Sequence, residues 1–593
     1  MISNNKVKFI FIFIVLITVF YLIFVSPFFP NQNGNLGHDY DIWFPRMLAG
    51  VYHFYENNLT TIPWFTPSFC GGTMLYANPQ YLFFSVPQFL NFYFDPITTI
   101  KITILLFASL GFLGSYLLAK KVFTLSDSSS LFMASFFLFN GYFAYRMIIG
   151  HLGYHSYMLL PLIAYFLFQP NQMLSFRKNL FLSLSAALLF SYIFYSGGVH
   201  LLLPILISLA VILLLALIRN TEVNDQKSRI VIAMIFVLCI TSSKLNISFQ
   251  TLETFARDYY PLPGIDSLAN SLWVPIKSIF FGSFTWEDTN NIFTNSKWTI
   301  QRHELELSIT FIPLMIIFVG GIIKIKKKTN ITTNQKIYSF ILFILCLIPL
   351  LVNYYSPTWN TILKDMPIIR NSVMLVRWYV IYIPISLLIA AIILNKLKYK
   401  EIIVPTLIIL MIYMKYDEDK SYYSNQSYNP EMAITAHKAF KKSLSVPPIS
   451  HITNKREIMV DGKSLIGRDE LMAYGMSQID CNESLFGYLH EDFKKKDLLQ
   501  INKAITTLSN EKYNMKNPAC YIFPEENNCS PGDHFTSEQK EELVNFLNYR
   551  GFEFNMSKEQ YFFNWLSLIV FIISFLYILI YSLRITIIRV GTK

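Results

Sequence analysis

The sequence predicts an all-α polytopic membrane protein of about twelve transmembrane helices, with a small α/β external domain near the C-terminus. Three observations predict it. Only 15% of the 593 residues are charged and 16% are aromatic, against about 25% charged in an ordinary globular protein. The mean hydropathy is +0.40, more apolar surface than one water-surrounded core can hide. Apolar windows long enough for a bilayer core, roughly 20 residues at 1.5 Å each, recur along the chain, and one long polar block interrupts them near the end.

The windows fall near residues 9–26, 98–119, 130–149, 155–169, 179–195, 200–218, 230–247, 306–323, 337–353, 376–395, 401–414 and 562–583. Those at 155–169 and 401–414 are short for a span. Basic residues are retained on the cytoplasmic side of short loops, and here they cluster after every second crossing. Lys6 and Lys8 precede the first window; Lys120 and Lys121, Arg177 and Lys178, then Arg219, Lys227 and Arg229 follow in turn. Lys324, Lys326 to Lys328, then Lys396, Lys398 and Lys400, and finally Arg584, Arg589 and Lys593 continue the series. Both termini are therefore expected in the cytoplasm. Most of the net charge of +11 is accounted for by this alternation, and no nucleic-acid partner is implied.

The same parity predicts residues 1–414 as a transmembrane module with external loops 27–97 and 248–305. Residues 415–561 then form an external soluble domain, and 562–593 a last transmembrane helix with a basic tail. Within the domain, Thr536-Ser537-Glu538-Gln539 has the pattern of a capping box opening a helix through Leu543 and Leu547. Cys239 and Cys346 fall inside spans. Cys70, Cys481, Cys520 and Cys529 face outward, where four thiols allow three pairings, and Cys520 with Cys529 is the first choice.

Common catalytic signatures fail by counting. Gly462-Lys463-Ser464 lacks the glycine a phosphate loop needs five places earlier, where Glu457 stands, and His303-Glu304-Leu305-Glu306-Leu307 lacks the second histidine of a zinc-protease helix. The informative charges are those beside the outer ends of the spans, because ionisable groups near lipid are costly unless paired or used. In residues 37–45 (GHDYDIWFP), Asp39 and Asp41 would share one face of an extended loop and could hold a cation between them or bracket a proton. Residues 64–80 (WFTPSFCGGTMLYANPQ) offer flat rings, Trp64 and Tyr76, and polar arms, Asn78 and Gln80, suited to a sugar. Arg146, His151 and His155 lie at one outer junction; Arg257, Arg302, His303, Glu304 and Glu306 lie in the second large loop. Arg370 and Arg377 offer planar forks matched to phosphate.

Taken together, GHDYDIWFP, WFTPSFCGGTMLYANPQ, HELEL and residues 366–378 (MPIIRNSVMLVRW) resemble the GT-C superfamily of integral-membrane glycosyltransferases, most closely the bacterial YfhO-like membrane proteins. The resemblance covers about residues 1–400, and the domain before the last span departs from it. It implies hexosyl or pentosyl transfer from a polyprenyl-phosphate-linked donor to an extracytoplasmic glycan, lipid or protein acceptor at a bacterial cell envelope. By position, Asp39 and then Asp41 would be catalytic. Arg377, Arg370 and His303 would bind the donor phosphate, and Trp64, Tyr76, Asn78, Gln80 and Glu304 would touch acceptor or sugar. A divalent cation is a possible cofactor, with Asp39 and Asp41 as its ligands. Two other classes compete: a transporter or lipid flippase, and a non-catalytic scaffold displaying residues 415–561. Uninterrupted spans with charge gathered at their outer ends favour an interfacial site over a transport path.

Overall fold

The computed structural model describes residues 4–591 except 171–174, 220–225, 255–260, 297–298, 326–331, 367–368, 371, 373, 454–456, 461–462, 468, 480–504 and 507–511. Among the described residues, nine helices are long and apolar enough to cross a bilayer: Lys6–Phe24, Pro96–Val122, Asp127–Ile149, Phe176–Tyr195, Val199–Ile218, Gln226–Leu252, Thr333–Asn353, Leu375–Leu394 and Lys558–Ile585. Each coincides with an expected window. The protein is an integral, polytopic helical membrane protein. Leu152–Phe168 and Ile312–Ile322 are shorter apolar helices, and Lys400–Asp417 occupies the remaining window but carries charge at both ends.

The window at 306–323 starts differently from its expectation. The helix begins only at Ile312, because residues 307–309 give their backbone to neighbours. Leu307 N–H donates to the Ser278 carbonyl at 3.2 Å, Ile309 N–H to that of Ile279 at 2.7 Å, and the Ser308 carbonyl accepts from Gly141 N–H at 2.8 Å. Hydropathy alone cannot distinguish such a buried extended strip from the first turn of a span.

Most spans share one apolar core with the first helix and with Leu36, Tyr40 and Phe44 of the first loop. Small residues let helices approach closely. A Cβ on Gly114 would stand 2.7 Å from the Leu162 amide nitrogen, so the Pro96–Leu117 and Leu160–Phe168 helices meet backbone to backbone. A second core joins the first loop to the late polar block: Phe65, Phe69, Met74 and Tyr76 pack with Ile449, Met515, Tyr521, Phe535 and Phe546. Short strand pairs punctuate that block. Residues 451–453 run parallel to 476–478, while 457–460 with 463–466, and 505–506 with 512–513, are antiparallel. Thr536 and Gln539 form the reciprocal capping box ahead of the Lys540–Leu547 helix. Cys520 is disulfide-bonded to Cys529, Cα–Cα 5.7 Å. Cys70 is also disulfide-bonded; Cys481, like Arg257, lies outside the described residues.

Candidate active site

The residues after the first span turn into a helix, Tyr40–Asn57, with Asp39 at its N-cap position. An N-cap aspartate normally accepts hydrogen bonds from the first-turn amides. The Asp39 side chain makes no such bond; its Oδ2 instead lies 2.7 Å from His151 Nε2. The backbone enforces this direction. Asp39 N–H donates to the Ile149 carbonyl at 3.0 Å, and the chain can come so near only because residue 37 is glycine, whose Cβ would fall 2.1 Å from the Ile148 carbonyl oxygen. Gly150, at φ +110°, ends the Gly141–Ile149 helix in the left-handed region that favours glycine and turns His151 toward Asp39.

From His151 a continuous chain of polar contacts runs across three elements. Arg146 lies 2.8 Å from His151 Nδ1 through one guanidinium nitrogen and donates to Glu304 Oε2 at 2.7 Å through another. Arg377 also grips Glu304: its Nε donates to Oε2 at 2.9 Å and its second terminal nitrogen to Oε1, while the first donates to the Tyr154 hydroxyl at 2.7 Å. Arg146 and Glu304 are almost fully enclosed, with side chains 0% and 5% exposed. The Asp39 carboxylate at the other end is 24% exposed and the His38 ring 38%, so the assembly has a buried root and an open edge.

The late polar block closes the opposite side. Gln426 Oε1 lies 2.7 Å from His38 Nδ1, and its amide orientation is set by Nε2 donating to the Tyr422 carbonyl at 3.0 Å. The Tyr422 hydroxyl donates to Gln301 Oε1 at 2.8 Å, which leaves its oxygen to accept from His303 Nδ1 at 3.1 Å. Arg302 pairs with Glu306 and Asp419, and the Tyr423 hydroxyl donates to Glu306 Oε2 at 2.6 Å.

These contacts set the charge states. Burial pushes the Asp39 carboxyl up, but the His151 bond and the nearby His38 and His303 outweigh it and hold it well below the usual carboxylate range. Burial likewise opposes ionisation of Glu304, yet Arg146 and Arg377 keep it anionic. Glu306 is raised, chiefly by burial. Burial pushes His303 down to about 3 and lowers His151, where the Arg146 charge opposes the help of Asp39. At neutral pH the site thus holds two carboxylates, two guanidiniums and neutral imidazoles at positions 151 and 303.

His151, His303 and Glu304 bring ligand-type atoms within 4.8 Å of one another, but their donors do not fit a divalent cation. A guanidinium can only donate, so His151 Nδ1 accepts from Arg146 and Nε2 carries the proton given to Asp39. Glu304 is already neutralised by two arginines. That leaves His303 Nε2, itself 3.7 Å from Glu304 Oε1, as the one nitrogen of the set not bonded to Arg146, Asp39 or Tyr422, short of the three protein ligands typical of a catalytic metal site. Asp39 and Asp41 do not supply the deficit. In a helical turn two residues are rotated by about 200°, and Asp41 acts on Tyr428 beside Asp469 and Glu470 instead. The shared face expected of an extended loop is lost because residues 40–57 are helical.

Asp39, His303, Glu304 and Arg377 thus meet in one assembly, and the other sequence candidates lie elsewhere. Trp64 packs against Tyr76, Phe523 and Phe554, and the Tyr76 hydroxyl is bound to Ser243 Oγ. Asn78 is fully buried and accepts from Gln80 N–H, while the Gln80 side chain contacts His200. Arg370 sits in the turn beyond the Pro357–Asp365 helix, its carbonyl accepting from Lys364. His38, Tyr154, Tyr422 and Gln426 join the site without a sequence motif that marks them; for Tyr422 the available signal is its pairing with Tyr423 a few residues after the Lys400–Asp417 helix.

The chain matches no family model and no curated protein. Among solved structures it is similar to the oligosaccharyltransferase of Archaeoglobus fulgidus in complex with zinc and sulfate, at TM-score 0.39 and 10% identity, over 80% of this chain and 62% of that one. The oligosaccharyltransferase AglB of Archaeoglobus fulgidus in complex with an inhibitory peptide and a dolichol-phosphate gives TM-score 0.40 and 11% identity over 76% and 62%. The apo form of the first of these gives TM-score 0.39 and 12% identity over 81% and 65%. The chain therefore spans less than two thirds of the length of these proteins.

Proposed function

We propose that the protein is a membrane glycosyltransferase of the GT-C type, moving a sugar from a polyprenyl-phosphate donor to a hydroxyl acceptor on the outer face of a bacterial cytoplasmic membrane. The observation that carries this reading is the diversion of Asp39 from capping its own helix to the open end of the Asp39–His151–Arg146–Glu304–Arg377 chain. That chain lies where spans end, since Arg146 is near the end of Asp127–Ile149 and Arg377 near the start of Leu375–Leu394. A lipid-anchored substrate presents its phosphate at that depth, and its isoprenoid tail needs the surrounding spans.

In this reading Asp39 accepts the hydrogen bond of the acceptor hydroxyl and aims its oxygen at the sugar's anomeric carbon. The new C–O bond forms as the bond from that carbon to the phosphate oxygen breaks. The acceptor proton moves to the carboxylate as positive charge builds on the attacking oxygen, while the bonding electrons leave with the phosphate. An aspartate held so far below its usual range is a weak base toward a free hydroxyl. Its contribution is orientation and charge stabilisation late in the displacement. Arg377, 19% exposed against 0% for Arg146, is the guanidinium placed to exchange part of its bonding from Glu304 to the departing phosphate. His151 keeps Asp39 anionic and fixed. No step passes through a metal ion.

The test is transfer by the purified chain in lipid nanodiscs from a panel of polyprenyl-phosphate sugars. Product formation that Asp39→Asn abolishes supports the reading. Absence of transfer from every donor, or equal transfer by the variant, removes it.

A further inference from the structure

Outside the candidate site, the largest unexplained feature is an apolar strip on a segment that is not a span. The Leu268–Ile276 helix has no charged residue and exposes Leu268, Leu272, Trp273 and Ile276, at spacing i, i+4, i+5 and i+8, while Ser271, Val274 and Pro275 are buried. The strip continues with Phe281, the last residue of a π-helical turn, Lys277–Phe281, and past it with Trp286; the two are 45% and 55% exposed. The one Lys or Arg within residues 268–292 is already paired: Lys277 meets Asp288 at 2.7 Å and lies over the Phe284 ring.

Apolar patches of this kind on a surface in water mark an interaction site, and here the neighbours identify the occupant. The helix packs against the Thr333–Asn353 span, and the turn after it packs against the Ile312–Ile325 helix. The latter exposes Met315, Phe318 and Val319, as a helix facing acyl chains does. The strip is thus continuous with the lipid-facing belt. Tryptophan at two positions along it fits the headgroup boundary, where an amphipathic ring has one wet and one apolar side.

We infer that residues 268–292 form an interfacial hairpin embedded in the bilayer leaflet next to the candidate site, with outer-leaflet acyl chains as its partner. The inference does not depend on sugar transfer. It gives the bilayer a mechanical hold on the site, because Ser278, Ile279 and Phe284 are hydrogen-bonded to Leu307, Ile309 and the Glu306 carboxylate. An interfacial helix of this type lies flat, its apolar side about 5–10 Å into the headgroup–acyl boundary.

The experiment is site-directed spin labelling of the full chain in phosphatidylethanolamine and phosphatidylglycerol nanodiscs, with Cys239 and Cys346 replaced by alanine. Leu272→Cys carries the label on the apolar side, and Asn270→Cys, about 200° round the helix and also exposed, carries it on the other. The expected result is a Leu272 label relaxed by oxygen and shielded from a water-soluble nickel chelate, with the opposite ranking at Asn270. Equal nickel access at both positions would overturn the inference, since the strip would then face water. Shielding of Leu272 from both reagents would also overturn it, since a protein surface or a bound chain would then cover the strip.

Discussion

Two polar networks hold this protein together between spans, and they are built on opposite plans. One joins the Gln226–Thr254 helix to the last helix, Lys558–Gly591, through amides and hydroxyls alone. Ser243 Oγ donates to Asn564 Oδ1 at 2.6 Å, Gln560 Nε2 to Asn564 Oδ1 at 2.8 Å, Asn246 Nδ2 to Gln560 Oε1 at 2.8 Å, and Tyr195 and Ser567 share a bond at 3.1 Å. Its members are neutral and bond mainly to one another, which suits an apolar setting. The other network, around Glu304, is charged, buries two guanidiniums, and ends at a partly exposed carboxylate. Burying ions is costly, and breaking such a set costs more than an apolar design would. A fold needing only adhesion has the cheaper solution elsewhere in the same chain, and the charged network is the one the proposed function draws on.

Substitutions separate the two most strongly at their centres. Glu304→Ala leaves Arg146 and Arg377 without their shared anion, and is expected to destabilise the protein by about 3–5 kcal/mol, the loss typical of a broken buried ion pair. Unfolding in mixed micelles measures it. A loss below about 1 kcal/mol, the range of exposed pairs, would mean that water reaches the arginines.

Acid distinguishes the networks next. His303 is depressed to about 3 from a free value near 6.5, so the unfolded chain binds its proton first. The stability it contributes is complete above about pH 6.5 and falls as pH drops toward 3, by up to ~1.4 kcal/mol per pH unit. Unfolding curves at pH 7, 5.5 and 4 should show this slope, reduced by about one proton in His303→Asn. An unchanged slope in that variant would place the effect on other groups.

These charge effects rest on groups that the sequence displayed only in part. The apolar windows were legible because lipid demands long runs that nothing else produces, and every one carries a helix. Asp39, His303, Glu304 and Arg377 were legible as charges beside span ends. Their joining was not, since Glu304 meets Arg146 across 158 positions and no local pattern encodes that distance. Tyr422 and Gln426 escaped because neutral polar residues after a helix look like ordinary loop. The aromatic loop at residues 64–80 differs again: its rings are rich enough to suggest a sugar platform, and Phe65, Phe69 and Tyr76 pack in the second core.

Smaller effects sharpen the contrast from the neutral side. Asn564→Leu should cost about 0.6–1.7 kcal/mol, the scale of interhelical hydrogen bonds in membranes, with transfer activity unchanged. A large activity loss with normal unfolding would give the neutral network a role it lacks here. The smallest expected effect is that of chelation: since arginines already neutralise Glu304, removing divalent ions with EDTA should leave transfer within about two-fold, whereas a metal enzyme would lose its activity with its ion. A loss restored by one added cation would overturn the donor assignment made for His151.

The account depends most on Asp39 being a reacting group instead of a helix cap. Transfer from polyprenyl-phosphate sugars by wild type and Asp39→Asn, with unfolding of both measured in the same nanodiscs, tests this directly. The account predicts a fall of about 10²–10⁴-fold in rate, the scale of a lost charge-stabilising or acid–base group, in variant protein that is still folded under the assay conditions. Equal rates, or a rate lost only in proportion to folded protein, would contradict it.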